Sequence, residues 1–171
     1  ISRVIKKRKS ATHKGNYGRL LLIGGSKKYG GALIMAAEGA LNSGAGLVTV
    51  ATDRVNIAAL HTRDPEIMTL NWDESIELKN LIKNSDVVVC GMGLGLDDKA
   101  QQILRLVRDN ITLKQTLILD ASALDLIGQQ NDLLPLNSKI LIFTPHQMEW
   151  ERLSGIKISD QSDELNQVAL D

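Results

Sequence analysis

The sequence predicts an α/β fold: a mostly parallel sheet with helices on both of its faces. Three observations carry this reading. Short apolar runs alternate with helical patterns along the chain. A strand, a glycine-rich turn, a helix and a second strand follow one another between His13 and Val50. The run at Val87 to Cys90 is continuously apolar, as suits a strand covered on both faces. Right-handed crossovers then place every strand-to-helix turn along one edge of the sheet, where open α/β sheets bind ligands.

Most of the 14 glycines fall between His13 and Val50, around an apolar run. Arg19 to Ile23 reads as a buried strand, Gly24-Gly25-Ser26 as a sharp exit, Ala32 to Asn42 as a helix and Leu47 to Ala51 as the next strand. This is a βαβ unit. A glycine-rich turn lets backbone N–H groups approach a ligand closely, and the positive end of the helix favours an anionic group. Arg54 to His61 reads as a short helix and Glu66 to Leu70 as a short strand. Asp73 is placed to cap a helix running to about Asn84, with Ile76, Leu78, Leu81 and Ile82 as its apolar contribution. Val87 to Cys90 runs into Gly91-Met92-Gly93-Leu94-Gly95. Asp97 or Asp98 then caps a helix carrying Ile103, Leu104, Leu106 and Val107. Thr116 to Leu119 is a strand ending at Asp120, Ala121 to Ile127 a helix, and Lys139 to Phe143 a further strand. Thr144-Pro145-His146-Gln147 reads as a helix start with a Thr cap, Pro at the first helical position and Gln three residues after the cap, and Gly155 stops that helix. The turns at Gly24, Gly91, Asp120 and Thr144 are therefore expected on one edge of at least five strands.

Composition narrows the function classes. Lys+Arg 20 against Asp+Glu 20 leaves no net charge, so nothing global points to nucleic acid or an anionic membrane. The basic run Lys6-Lys7-Arg8-Lys9 has no interleaved aromatics and reads as a solvated segment. No apolar run approaches the roughly 20 residues of a membrane helix, and a soluble, cytoplasmic protein is expected. A chain of 171 residues suits a single domain. The lone cysteine, Cys90, reads as a core thiol. His13, His61 and His146 are widely separated and match no zinc-type spacing, so no protein metal centre is expected. The chain opens on Ile1, and Ser159 to Asp171 carries a helical pattern without a stop signal; the domain is expected to be incomplete, with more chain following Asp171.

The glycine motifs carry the chemistry. Gly24 to Gly31, GGSKKYGG, is not a Walker loop, because Gly31 is followed by Ala32-Leu33 rather than Lys-Ser/Thr. Gly91-x-Gly93-x-Gly95 has the wrong third spacing for a dinucleotide fingerprint. Each alone is equally a tight structural turn; convergence on one edge favours function. Asp120 is either a helix cap or a ligand-facing carboxylate. His146 and Glu149 share a helix face, and His146 either begins a solvated helix or donates to a polar or anionic ligand group. Trp72 and Trp150 read as packing residues.

The motifs His13-Lys14-Gly15-x-Tyr17-Gly18, Gly24-Gly25-Ser26, Tyr29-x-Gly31-Ala32, Ser43-Gly44-Ala45-Gly46-Leu47-Val48, Gly91-x-Gly93-x-Gly95, Asp120-Ala121-x-Ala123-Leu124 and Thr144-Pro145-His146-x-x-Glu149 stand in one order. In that order the chain resembles the ADP/ATP-dependent NAD(P)H-hydrate dehydratases of the ribokinase-like group. The resemblance implies a three-layer α/β/α fold and a repair reaction: hydrated NADH or NADPH is returned to the normal cofactor at the expense of ADP or ATP with Mg²⁺. It implies that Ala32, Gly95 and His146 touch the hydrated nicotinamide, and that Lys14, Gly25, Ser26, Tyr29, Gly93, Asp120 and Glu149 support the site. It also implies a homo-oligomer. Two departures stand out. Ser122 occupies a place where the family usually has a second aspartate. The family's later phosphate loop and its Gly-x-Gly-Asp segment have no counterpart in residues 1–171. The aspartate base is therefore expected beyond Asp171, no catalytic residue is assigned, and this stretch alone is expected to be inactive. The alternatives are a ribokinase-like kinase of a small alcohol and, were the protein to end at Asp171, a non-catalytic nucleotide-binding module.

Overall fold

The computed structural model describes residues 14–157. Three expectations lie outside the described residues: His13, the basic run at residues 6–9, and the helical pattern at residues 159–171, including its last residue, Asp171. Six strands, β1 (Arg19–Ile23), β2 (Leu47–Thr52), β3 (Met68–Asn71), β4 (Val87–Cys90), β5 (Thr116–Leu119) and β6 (Ile140–Phe143), form one sheet in the order β3-β2-β1-β4-β5-β6. Every neighbouring pair is parallel. The crossovers are helices α1 (Gly30–Asn42), α2 (Ile57–Arg63), α3 (Ser75–Asn84), α4 (Asp98–Asn110) and α5 (Ser122–Gln129), and α6 (Gln147–Ser154) follows β6.

The two-residue period of a strand divides the apolar runs between two cores. Along β1, Leu21 and Ile23 face a core with Leu78 and Ile82 of α3, Leu104 of α4 and Leu124 of α5. Leu22 faces the other way, with Leu33 and Ala37 of α1 and Leu60 of α2. The register sets Leu22 between Val50 and Val89, so the central strands are apolar on both sides. Each fully buried Leu or Ile contributes about 1.5–3 kcal/mol relative to exposure. On β6, by contrast, Leu141 and Phe143 pack inward while Ile140 and Ile142 are exposed.

Two expected helix starts are corrected. Helix α3 begins at Ser75, and its capping residue, Glu74, makes no side-chain bond. Asp73 instead forms an ion pair with Lys99. With that phase Leu78 and Ile82 point inward, one turn apart, and Ile76 falls off the stripe and is exposed. Helix α6 begins two residues later than the Thr144 reading required. Thr144 still follows the sheet ladder, its N–H donating to Leu119 O at 3.2 Å, and its hydroxyl donates to Asp120 Oδ1 at 2.7 Å. His146 and Glu149 therefore form the capping box in place of Thr144 and Gln147. Of the two candidates before α4, Asp97 is the cap, accepting from Ala100 N at 3.0 Å. Trp72 is buried in the core, as expected.

Candidate functional site

The parallel order puts the turns after β1, β4, β5 and β6 side by side, and backbone bonds lock them together. Gly25 N donates to Met92 O at 2.9 Å and Ser26 N to Gly93 O at 2.6 Å. The Gly25 carbonyl in turn accepts from Thr52 Oγ1 at 2.8 Å, from Asn56 Nδ2 at 2.6 Å and from Asp53 N at 3.3 Å. Thr52 and Asn56 are both buried. Gly25 has φ +68, and a methyl group there would lie 2.7 Å from Thr52 Oγ1; only glycine combines that backbone with that approach. Gly91, at φ +130, lies so close to the Asp120 carbonyl oxygen that any Cβ would collide with it.

The turn after β5 is strained. Ala121 adopts φ 47 and ψ −121, a region that costs a residue with a Cβ on the order of 1–3 kcal/mol. Helix α5 takes Ala121 as its capping residue without a side-chain bond, so Asp120 is not its cap. The Asp120 carboxylate is held instead by the Thr144 hydroxyl. One residue past the strained position, Ser122 Oγ accepts from Gly95 N at 3.3 Å. A continuous path of bonds thus runs from the first glycine turn to the start of α6.

At that start, His146 Nδ1 accepts from Met148 N at 3.2 Å and from Glu149 N at 3.3 Å. This network assigns the ring proton to Nε2, which lies 3.2 Å from Glu149 Oε1. Glu149 Oε2 accepts from His146 N at 3.0 Å. The carboxylate is buried, while the imidazole is 62% exposed. Both ring nitrogens therefore face the capping box, Nδ1 toward the helix-end N–H groups and Nε2 toward Glu149, and the ring is held in one orientation.

The structure gathers Gly25, Ser26, Tyr29, Gly93, Gly95, Asp120, His146 and Glu149 at the carboxyl edge of the sheet, with Ala32 exposed on the first turn of α1. Lys14 is not brought there. It lies at the opposite edge, where Gly46 packs on the Lys14 carbonyl before β2 begins. Thr52 and Asn56, which position Gly25, were not singled out from the sequence, because the carbonyl they hold lies on another loop. Cys90 is fully buried and burial pushes its thiol up to about 12, the mark of an inert core group. Among the described residues no three His, Cys, Asp or Glu side chains converge as a metal cage. No helix among them is long and apolar enough to cross a membrane.

Known proteins place this chain in a family. The chain is 50% identical over 169 residues to the ADP-dependent (S)-NAD(P)H-hydrate dehydratase of Lactiplantibacillus plantarum, covering 99% of this chain and 60% of that protein. It is 49% identical over 171 residues to the enzyme of that name from Streptococcus thermophilus, covering 100% of this chain and 61% of the other. The chain thus spans about three-fifths of the length of these relatives. The crystal structure of a ribokinase-like superfamily protein from Enterococcus faecalis superposes with a TM-score of 0.91 at 46% identity, covering 96% of this chain and 57% of that one. The ADP/ATP-dependent NAD(P)H-hydrate dehydratase of Bacillus subtilis, co-crystallised with ATP/Mg²⁺, shares the fold at a TM-score of 0.74 and 24% identity, covering 96% of this chain and 57% of that chain. The α/β sandwich is thus ribokinase-like, as the sequence motifs implied. A family model described as NAD(P)H-hydrate dehydratase matches residues 20–170, and this chain belongs to that family.

Proposed function

We propose that the protein carrying this chain repairs hydrated NADH and NADPH, dehydrating them in an ADP-dependent reaction. The observation that carries the reading is the match of 50% identity over nearly the whole chain to the dehydratase of L. plantarum, whose name specifies ADP and the (S)-hydrate. The locked carboxyl edge supports it by offering a substrate wall. Hydroxide is a poor leaving group; a nucleoside diphosphate or triphosphate supplies the phosphoryl group that lets the hydroxyl depart as phosphate.

Within this reading, Ala32, Gly95 and His146 line the hydrated nicotinamide, and Glu149 holds the exposed His146 ring in place. Asp120, Ser26 and Tyr29 shape the surrounding turns; Gly25 and Gly93 let those turns meet. The catalytic base belongs to the proposal as a residue beyond Asp171, a reading supported by the 60% of the L. plantarum enzyme that this chain spans. Mg²⁺ belongs to it as a companion of the nucleotide. Magnesium is commonly held by phosphate oxygens with one or two carboxylates. A cytoplasmic homo-oligomer completes the proposal.

The test uses protein expressed from the full reading frame. Recovery of reduced-nicotinamide absorbance from the (S)-hydrate, dependent on ADP or ATP, is expected. Phosphorylation of a small alcohol such as hydroxyethylthiazole, without recovery of NAD(P)H, would replace the reading with a kinase.

A further inference from the structure

This inference rests on the proposed reaction and concerns what fixes the two sides of the substrate wall relative to each other. Ala32 stands exposed on the first turn of α1, and Gly95 lies in the turn after β4. The start of α1 is held from two directions. On one side the Tyr29 carbonyl oxygen packs on Gly93 so closely that a Cβ there would collide with it. On the other, the Asn56 amide oxygen packs on Gly30, the first residue of the helix, and excludes any side chain at that position. The Asn56 amide nitrogen meanwhile donates to Gly25 O at 2.6 Å and lies 3.0 Å from Thr52 Oγ1. Thr52 Oγ1 donates to the same carbonyl at 2.8 Å. One side chain therefore meets the helix start, the end of β2 and the turn after β1, which Gly25 N and Ser26 N tie in turn to Met92 O and Gly93 O.

Thr52 and Asn56 are buried, which keeps both off the exposed wall. Their action on a ligand must pass through Gly25 and Gly30. Close-packed surroundings relax only partly into a void, and here the void would open directly behind the helix start. A shift of about 1 Å in a positioning group is enough to cost up to about a hundredfold. We infer that Thr52 and Asn56 are positioning residues for the hydrated nicotinamide: the pair sets the gap between Ala32 and Gly95, and with it the affinity for the hydrate, without touching it.

The experiment compares full-length wild type with Asn56→Ala, Thr52→Val, Thr52→Ser and Gln115→Leu. Gln115 is a matched control, a buried side chain whose amide nitrogen donates to Ser85 O at 2.8 Å and to Ile82 O, but just before β5, at the opposite edge of the sheet. Calorimetry gives Kd and stoichiometry for hydrated NADH, beside kcat at saturating hydrate. A merely structural role lowers stoichiometry and kcat together, as folded protein is lost, and leaves Kd in place. A positioning role raises Kd at a stoichiometry near one. Kd is expected to rise roughly tenfold in Asn56→Ala and about threefold in Thr52→Val, and to stay within about twofold of wild type in Thr52→Ser, which keeps the donor, and in Gln115→Leu. An unchanged Kd in Asn56→Ala or Thr52→Val overturns the inference, as does an equal rise in Thr52→Ser or Gln115→Leu. Should Asn56→Ala fail to fold, the contrast between valine and serine at Thr52 decides. Wild type that binds the hydrate without turning it over overturns the proposed reaction, while the Kd series still decides the pair; wild type that does not bind the hydrate overturns both.

Discussion

Replacing Asn56 by Ala tests whether the buried polar bracket under Gly25 holds the site together. Asn56 Nδ2 donates to Gly25 O at 2.6 Å and lies 3.0 Å from Thr52 Oγ1, and its amide oxygen fills the space against Gly30. Truncation removes two internal bonds of about 1 kcal/mol each. The Gly25 carbonyl keeps Thr52 Oγ1 and Asp53 N as donors, so it is not orphaned. The void left beside Gly30 adds about 1 kcal/mol. The expected loss is therefore about 2–3 kcal/mol. Urea unfolding of the full-length protein measures it as a lower midpoint at constant slope. A double-mutant cycle with Thr52→Val is expected to give coupling of about 0.5–1 kcal/mol, because the two side chains share one acceptor. A loss below about 0.5 kcal/mol, or strict additivity, would refute the bracket.

Ala121→Gly relieves strain at φ 47, and after the entropy cost of glycine a gain of about 1 kcal/mol is expected by thermal or urea unfolding. His146→Ala loses the α6 cap and is expected to cost about 1 kcal/mol. His146→Asn restores most of that stability, yet under the proposed function only the native imidazole restores hydrate affinity, read as Kd. Cys90 has a thiol raised by burial from 9.0 to about 12. Above pH 9 the unfolded chain therefore releases a proton that the native state retains, and stability is expected to fall as pH rises from about 9 to 12. Native protein near pH 8 should likewise resist thiol alkylation until it unfolds globally.

The layers were legible because their cause is periodic. Arg19–Ile23, Val87–Cys90 and Thr116–Leu119 are strands with the bounds read from the sequence, and each apolar run stops at a glycine or an aspartate, Gly24, Gly91 or Asp120. The common edge followed from crossover handedness without any tertiary information. Helix starts were less legible, because capping depends on where neighbouring chain runs. Thr144 has the residue type of a cap, but β5 claims its N–H and the Asp120 carboxylate claims its hydroxyl. The same holds for Asp73, whose carboxylate meets a lysine far along the chain, Lys99. Thr52 and Asn56 were invisible as site-forming residues for a related reason. Their acceptor is a carbonyl on another loop, and no local pattern announces it. Lys14 errs in the opposite direction: family-like spacing at the start of the chain says nothing about which end of β1 it occupies.

Ser122 is where wall geometry and wall charge separate. The resembled family usually carries aspartate there, and the Gly95 N–H requires only an oxygen acceptor, which a hydroxyl supplies as a carboxylate does. Placement of the Gly91–Gly95 turn is therefore preserved with serine. What changes is charge: the edge beside Asp120 carries one negative group fewer than the family pattern would give it. Beside a proposed phosphoryl transfer, a missing carboxylate reduces repulsion toward the anion, but it also removes an acceptor that could draw a proton or share a cation with the nucleotide. The serine thus keeps the wall's shape while lowering its negative charge. Within the proposed reaction, Asp120, its carboxylate steadied by the Thr144 hydroxyl, is the carboxylate left next to this turn.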